Sequence, residues 1–187
     1  MPQITLLGSM SVGKTTLLKL LQNHDLMSSF EFIPESASQI IERYQQHPIT
    51  MDNRQLSQFQ QRVLDNQITN ENITRQNNSN FVSDRGVIDG LSYSTELSCY
   101  QDLKQQVINY LNINPYSHIF YLPIEFGFNS TNRSTENSQF QRLIDTRLKD
   151  IMSELKLEYT VLNGSSVKRM EQVLSALKNT PFGGMLN

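Results

Sequence analysis

The chain has 187 residues, a formal net charge of −2 and 37% hydrophobic residues. This is enough for one α/β domain with an apolar core, so we expect a single domain over residues 1–187. The charge gives no general reason to bind nucleic acid, the single cysteine excludes an intramolecular disulfide and a thiolate metal cluster, and no apolar run reaches membrane-spanning length.

The first predicted elements are a strand, a glycine loop and a helix. The apolar run Ile4-Thr-Leu-Leu7 leads into Gly8-x-x-x-x-Gly13-Lys14-Thr15, the Walker A pattern, in the context that this pattern requires. The glycines let successive N–H groups turn inward, and the helix N-terminus adds its positive dipole end. We predict that a nucleoside triphosphate is bound by Gly8, Ser9, Ser11, Val12, Gly13, Lys14, Thr15 and Thr16.

Two side chains of this loop have predicted chemical roles. Lys14 is expected to bring a cation to the β- and γ-phosphates. The hydroxyl of Thr15 is expected to ligate Mg²⁺. The motif predicts that a triphosphate binds, and it leaves open what happens to the triphosphate.

A second strand, Phe30–Ile33, ends at Pro34 and is followed at once by Glu35. A helix is predicted from Ser36 to Gln46. Glu35 has two interpretations: a base or anchor for the hydroxyl of a phosphate acceptor, or an exposed residue in the first turn of a helix, favoured by the dipole.

A long polar helix is predicted from Asp52 to about Arg75, within a helical segment over about 50–76. Its apolar stripe consists of Leu56, Phe59, Val63 and Leu64. Its other face carries Arg54, Gln58, Gln61, Arg62, Asp65 and Gln67. This face is either solvated or a wall that faces the acceptor; in the second case the acceptor-binding candidates are Arg54, Gln58, Gln61 and Arg62.

The remaining chain continues to alternate strands and helices. The predicted strands are Phe81–Ser83, His118–Leu122 and Tyr159–Leu162, and the predicted helices are Val87–Tyr100, Leu103–Leu111, Glu136–Leu155 and Val167–Leu177. This order predicts a three-layer α/β/α fold of the P-loop NTPase type, with a five-stranded, mostly parallel sheet. A lid-like loop is predicted over about 124–137.

The carboxyl ends of the strands are predicted to form the ligand-binding edge, next to the P-loop. Asp84 ends the third strand, where its carboxylate can reach Mg²⁺ or accept a proton from a substrate hydroxyl. Arg85 can bind a phosphate or carboxylate through its fork of N–H groups. Arg133, in the lid-like loop, is a candidate to close over the γ-phosphate. The alternative for Asp84 and Arg85 is a surface pair in which Asp84 caps the next helix.

With these motifs, the chain resembles P-loop nucleoside and nucleotide kinases, in particular proteins that look like nicotinamide riboside kinases and thymidylate kinases. Some viral relatives resemble kinases that act on hydroxymethyl-pyrimidine bases in DNA. The resemblance rests on the Walker A loop, Pro34-Glu35, the glutamine-bearing helix at Phe59, Asp84-Arg85-Gly86 with Ile88-Asp89 and Tyr93, and Arg133. It implies catalytic roles for Lys14, Asp84, Arg85, Glu35 and Arg133, with either Asp84 or Glu35 as the base, and Mg²⁺ held by Thr15 and Asp84.

Three functions are compatible with these residues. The first is an ATP- and Mg²⁺-dependent kinase acting on a hydroxyl or phosphate of a nucleoside- or nucleotide-like small molecule. The second transfers the phosphoryl group to a base or an end of DNA, which the acidic composition disfavours. The third is a GTPase-type or regulatory NTP-binding module, although strand three lacks Asp-x-x-Gly and a guanine-reading Asn-Lys-x-Asp is absent.

The setting of the protein is predicted from its composition. The N-terminus shows no signal-peptide pattern, so we expect a cytoplasmic protein with no membrane partner. The abundance of Asn and Gln fits an AT-rich viral or bacterial genome, and a viral protein would act in the host cytoplasm. A homodimer is an open alternative for the assembly.

Overall fold

A computed structural model of the chain describes residues 1–45, 47–77, 79–127 and 138–178. Within these ranges, strands and helices alternate as the sequence predicts. The strands are β1 (Gln3–Leu7), β2 (Phe30–Ile33), β3 (Asn80–Asp84), β4 (His118–Tyr121) and β5 (Thr160–Val161). The helices are α1 (Lys14–Gln22), α2 (Ser36–Tyr44), α3 (Asn53–Gln76), α4 (Asp89–Ser92), α5 (Tyr100–Ile113), α6 (Ser138–Glu154) and α7 (Ser166–Lys178).

The five strands form one sheet in the order β2-β3-β1-β4-β5. Every pair of neighbouring strands is parallel, so the sheet is wholly parallel where the sequence predicted a mostly parallel one. β1 is the central strand, and Leu6 is paired with Asp84 on one side and with Phe120 on the other. This register brings the carboxyl ends of β1 and β3, and hence the P-loop and Asp84, to the same edge.

Helices cover both faces of the sheet, which confirms the predicted three-layer fold. Ile4 and Leu6 of β1 lie in one apolar cluster, to which α1 and α7 contribute. Leu7 lies in the other cluster, with side chains from α3, α5 and α6. The side chains of a strand alternate between its two faces, so one short strand serves two cores. No helix within the described ranges combines the length and the apolar character needed to cross a membrane.

The long helix α3 begins as predicted and buries Phe59 and Leu64 of its predicted apolar stripe, but it buries polar side chains as well. The Asp52 carboxylate accepts a hydrogen bond of 2.8 Å from the Gln55 N–H, and the Gln55 side chain accepts one of 2.9 Å from the Asp52 N–H. This reciprocal pair is a capping box, which fixes the helix start. Placing Gln67 on the outer polar face was wrong, because Gln67 is buried together with Gln60 and Glu71.

The predicted helix over Val87–Tyr100 was also wrong. Only α4, a single turn, is helical there, and turns follow until α5 begins at Tyr100. The Ser92 hydroxyl donates to the Asp89 carbonyl at 2.7 Å, and the Ser94 hydroxyl donates to the Gly90 carbonyl at 2.8 Å. Serine and glycine are weak helix formers, and such local side-chain bonds compete with continued helix.

Candidate active site

The P-loop, residues 8–13, has the backbone of an anion-binding loop. Gly8, Ser11 and Gly13 have φ values of 151°, 59° and 93°, a conformation that L side chains rarely adopt. A Cβ at Gly8 would also lie 2.7 Å from the Leu122 carbonyl oxygen at the end of β4. Both the conformation and the close approach require glycine at position 8. The Ser9 hydroxyl in this loop is buried and has no hydrogen-bond partner among the described residues.

Lys14, the first residue of α1, lies back across the loop. Its Nζ donates to the carbonyl oxygens of Gly8 at 2.6 Å and Ser9 at 2.7 Å, and only 6% of the residue is exposed. Burial, together with a smaller contribution from the nearby Arg85 guanidinium, lowers the Lys14 pKa to about 8. Asp89, Asp84 and Glu35 act in the opposite direction. Lys14 is therefore a buried cation, and a phosphate bound next to it would raise its pKa again.

Two helices near the other end of the chain brace the P-loop. From α6, the Gln141 amide donates to the Met10 carbonyl at 2.6 Å. From α7, the Arg169 guanidinium donates to the Val12 carbonyl at 2.5 Å and to the Glu125 carboxylate at 2.8 Å. Sequence reasoning missed Gln141, Arg169 and Glu125, because no local pattern signals contacts over such separations.

Asp84 and Thr15 meet at the carboxyl end of β3. The Thr15 hydroxyl donates a hydrogen bond of 3.2 Å to the Asp84 carboxylate, and Asp84 is 5% exposed. A hydroxyl and a carboxylate oxygen beside a phosphate-binding loop fit Mg²⁺, which takes few protein ligands and completes its octahedron with phosphate oxygens and water. The donor set is therefore suited to this ion. Asp84 is not an N-cap, since the next helix, α4, begins at Asp89.

Arg85 lies between two carboxylates. Its Nε is 2.7 Å from Glu35 Oε1, in an ion pair whose N–H is not aligned as a hydrogen bond. Its Nη1 donates to the Tyr93 hydroxyl at 3.0 Å and lies 3.7 Å from Asp89 Oδ1. Arg85 has φ 68°, a left-handed conformation, so the surrounding contacts hold a strained turn.

Asp89 is the functional candidate that residue-by-residue reasoning missed; only the family resemblance pointed to it. It is 2% exposed, and neither carboxylate oxygen has a hydrogen-bond donor in the part of the chain that the structure describes. Burial raises the Asp89 pKa to about 6, although Arg85 and Lys14 act to lower it. A buried carboxylate without donors next to a strained arginine makes Asp89 a candidate site residue.

A buried network on α3 supports both site strands from behind. The Gln67 amide accepts a hydrogen bond from Ser36 at 2.8 Å and donates to Ser83 and to Glu71 at 2.7 Å each. The Ser83 hydroxyl in turn donates to the Arg85 carbonyl. Ser36 follows Glu35 and Ser83 precedes Asp84, so Gln67 links the backbone beside both site carboxylates.

Glu71 extends this network to the turn after Arg85. It is fully buried and accepts hydrogen bonds from Tyr116 at 2.7 Å and Tyr110 at 2.9 Å. Burial raises its pKa. The Tyr116 hydroxyl also accepts a bond of 3.0 Å from the Val87 N–H, and a Cβ at Gly86 would lie 2.5 Å from that hydroxyl oxygen. The turn from Asp84 to Val87 is thus held on both sides.

The structure brings four of the five predicted catalytic residues to one edge: Lys14, Asp84, Arg85 and Glu35. Arg133, and with it residues 128–137 of the predicted lid-like loop, lies outside the described residues. Their catalytic roles stay predictions.

The predicted acceptor wall on α3 is placed differently. Arg54 and Gln58 are exposed, the Gln61 amide is bonded to Asp65 and Gln106, and Arg62 lies over the Tyr44 ring at 4.7 Å. Gln60 is the buried glutamine, and its Oε1 lies 3.6 Å from the position of a Cβ on Gly90, the neighbour of Asp89. Gln60 is therefore a further candidate because of its position beside Asp89, and the four-residue wall stays a prediction.

Solved structures with the same fold include kinases. A crystal structure of NadR protein in complex with NAD and AMP-PNP has a TM-score of 0.72 and 17% identity, covering 97% of this chain and 49% of that chain. A deoxyadenosine kinase from M. mycoides has a TM-score of 0.64 and 12% identity, covering 95% of this chain and all of that one. A thymidylate kinase from Ehrlichia chaffeensis has a TM-score of 0.65 and 13% identity, with 94% and 98% covered.

These similarities show the fold, and they confirm at that level the resemblance to P-loop nucleoside and nucleotide kinases. The chain spans about half the length of the NadR chain that it matches. No curated protein sequence matches it. A family model described as an AAA domain matches residues 3–169, which is most of the sequence and includes the whole P-loop and every residue of the edge described above. The chain therefore belongs to this AAA domain family.

Proposed function

We propose that the protein is a kinase that transfers the γ-phosphoryl group of ATP to a hydroxyl of a nucleoside-like acceptor, with residues 1–187 acting as one kinase domain. The observation that carries the proposal is the cluster of Lys14, Asp84, Arg85 and Glu35 at the carboxyl edge of the sheet. Phosphoryl transfer requires mainly positioning and charge neutralisation, and this cluster offers both beside a phosphate-binding loop. The kinases among the solved structures of the same fold support it.

The donor half consists of the P-loop, Lys14, Thr15 and Asp84. Lys14 Nζ exchanges its carbonyl contacts for phosphate oxygens, and the loop N–H groups surround the phosphates. Thr15 and Asp84 would hold Mg²⁺, which supplies charge neutralisation for the phosphate oxygens when bound. Arg133 stays a candidate for a further cation at the γ-phosphate, on sequence grounds alone.

The acceptor half consists of Glu35, Arg85 and Asp89, and we assign Glu35 as the base. Asp84 accepts the Thr15 hydrogen bond and is 5% exposed. Glu35 accepts a hydrogen bond of 3.0 Å from Ser38, and its side chain is 20% exposed, so it is the more accessible of the two carboxylates. The acceptor oxygen forms a bond to the γ-phosphorus, the bond from that phosphorus to the β–γ bridging oxygen breaks, and ADP leaves with the electron pair. The hydroxyl proton passes to Glu35.

The surroundings of this half suit a nucleoside. The Tyr93 ring meets the Phe140 ring edge-on at 6.3 Å between centroids, and Phe140 is 36% exposed. Aromatic rings of this kind offer a surface to a planar base. The amide of Gln60 provides a donor and an acceptor for the polar edge of such a base. A DNA acceptor is less favoured, because the net charge is −2 and two carboxylates flank Arg85.

The test is ADP release from ATP and Mg²⁺ in the presence of single acceptors: nucleosides, nucleoside monophosphates, nicotinamide riboside and DNA that contains 5-hydroxymethyluracil. We expect release to depend on a nucleoside-like acceptor, and to fall on the order of 100-fold or more in Lys14→Ala and in Asp84→Ala. Asp102→Ala, at an exposed carboxylate on α5, is the matched control and should keep the wild-type rate. Wild-type turnover in both folded site variants, or turnover indifferent to the acceptor, would refute the proposal.

A further inference from the structure

The charges on the acceptor side of the site are unbalanced. Lys14 is bonded to the P-loop, and Asp84 is bonded to Thr15, so both belong to the donor half. Among the described residues, the acceptor half then holds one cation, Arg85, against two carboxylates, Glu35 and Asp89. These three described side chains carry one positive and two negative charges, a sum of −1.

Within the described ranges, the cation of this half is already engaged. Arg85 directs Nε towards Glu35 at 2.7 Å and Nη1 towards the Tyr93 hydroxyl at 3.0 Å, with Asp89 at 3.7 Å. A phosphate group bound to Arg85 would therefore lie against two carboxylates. Of the seven other arginines in the described part of the chain, four are held elsewhere, by Tyr44, Glu71, Glu96 and Glu125: Arg62, Arg75, Arg147 and Arg169. The other three are exposed: Arg43, Arg54 and Arg142.

The Asp89 carboxylate can accept hydrogen bonds that the described residues do not supply. Both of its oxygens are buried and have no donor in the described part of the chain. An ionised carboxylate accepts hydrogen bonds and cannot donate them. A phosphate dianion also offers only acceptors and adds like charge, whereas the hydroxyl groups of a ribose, or N–H groups, are donors.

Resting on the kinase function proposed above, we propose that Asp89 makes the acceptor half selective for nucleosides without a phosphate, neutral or cationic, and against nucleoside monophosphates. Its carboxylate accepts hydrogen bonds from donor groups of the nucleoside. The same carboxylate, together with Glu35, repels a 5′-phosphate. Two like charges about 4 Å apart at an effective dielectric constant of about 20 weaken binding on the order of 100- to 1,000-fold.

The experiment compares each nucleoside with its own monophosphate: adenosine with AMP, thymidine with TMP, and nicotinamide riboside with its mononucleotide. Binding is measured by calorimetry on the full chain with AMP-PNP and Mg²⁺ present, so that the result does not depend on turnover. ADP release is measured in parallel with ATP. We expect at least one nucleoside to bind at least 100-fold more tightly than its monophosphate.

Single substitutions test whether the Asp89 carboxylate causes the preference for nucleosides over monophosphates. Asp89→Asn should reduce the nucleoside-to-monophosphate preference at least tenfold. Asp102→Asn, at an exposed carboxylate outside the site, should leave the preference unchanged. Glu35→Gln, which removes the other acceptor-side carboxylate, should shift the binding preference in the same direction and serves if Asp89→Asn does not fold.

The outcomes separate this inference from the kinase proposal. Tighter binding of monophosphates by the wild type, with turnover, overturns the inference and leaves the kinase proposal intact. Selective nucleoside binding with no ADP release overturns the kinase proposal and keeps the charge selectivity. An unchanged preference in folded Asp89→Asn overturns the role of Asp89, and a lack of binding by any nucleoside at millimolar concentration overturns both proposals.

Discussion

Among single residues, Asp89 carries its charge in unfavourable surroundings. Burial raises its pKa from the ordinary 3.8 to about 6, against the attraction of Arg85 and Lys14. The native state therefore binds this proton more tightly than the unfolded chain does, and stability falls as the pH rises from about 4 to about 6. Above pH 6 the ionised group destabilises the native state by roughly 3 kcal/mol at most, from a shift of about two pKa units.

We predict that Asp89→Asn stabilises the protein by about 1–3 kcal/mol at pH 7, because the isosteric amide removes the buried charge. The gain should shrink towards zero at pH 4, where the native Asp89 is already protonated. Urea denaturation at several pH values between 4 and 8 measures the free energy of unfolding. Asp102→Asn, at an exposed site, is the control and should show no such trend. A gain that does not vary with pH would contradict this account.

The site residues differ in how far the sequence alone could predict them. The Walker A spacing and the end of a buried strand were enough to predict four site residues: Lys14, Thr15, Asp84 and Arg85. Asp89 follows a strained turn, and its burial depends on helices from other parts of the chain. No local sequence pattern therefore predicts that Asp89 is a site residue.

At the level of elements, α3 connects the two strands that carry the site carboxylates. Gln67 reaches Ser36 after β2 and Ser83 in β3, and Glu71 reaches Tyr116, which holds the Val87 N–H. The helix thereby sets the distance between Glu35 and Asp84. We regard Gln67 and Glu71 as positioning residues for that pair, since each acts through neighbouring groups.

We predict that Gln67→Leu lowers kcat about tenfold or more while KM for ATP stays near the wild-type value, because small displacements of catalytic groups are costly and the P-loop is not touched. Stability should fall by about 1–3 kcal/mol, since Ser36, Ser83 and Glu71 lose a buried partner. Gln58→Leu, on the exposed face of the same helix, is the control. A parallel loss of kcat and of ATP affinity would indicate general damage instead of mispositioning.

The contrast between Gln58 and Gln67 explains where sequence prediction stops at this level. The existence, order and approximate bounds of α3 follow from its apolar stripe and from Asp52 as N-cap. A helical pattern cannot distinguish one glutamine from another. Gln67 is buried because its hydrogen-bond partners Ser83 and Glu71 lie in the interior. Likewise, the helix predicted over Val87–Tyr100 was wrong. Serine hydroxyls there donate to nearby backbone carbonyls, and these hydrogen bonds compete with a continued helix.

On the scale of the whole molecule, the two ends of the described chain meet at the P-loop. Arg169 is 1% exposed, and its guanidinium joins Val12 in the loop to Glu125 after β4. Its plane also lies over the Phe126 ring, at 5.0 Å from the centroid. Glu125 in turn accepts the Gly164 N–H at 2.7 Å, and the favourable contacts with Arg169 and Gly164 lower its pKa.

We predict that Arg169→Leu destabilises the protein by about 1–3 kcal/mol, because the buried Val12 carbonyl loses its donor. ATP affinity should also fall, since the Val12 carbonyl loses its donor and the loop is no longer fixed. Calorimetric titration with ATP under conditions where the variant is folded separates the two effects. Lys168→Leu, at the exposed neighbouring position, should alter neither quantity. Unchanged ATP affinity in folded Arg169→Leu would show that the brace serves stability alone.

The contact between Arg169 and Val12 also sets an order of events during synthesis. The loop residues leave the ribosome early, and the arginine that fixes them follows 157 positions later. At roughly 5–20 residues per second, the loop waits about 8–30 seconds for its brace. A nascent chain that already contains the Walker A motif is therefore expected to reach its full affinity for the nucleotide only when α7 has emerged and packed against the loop.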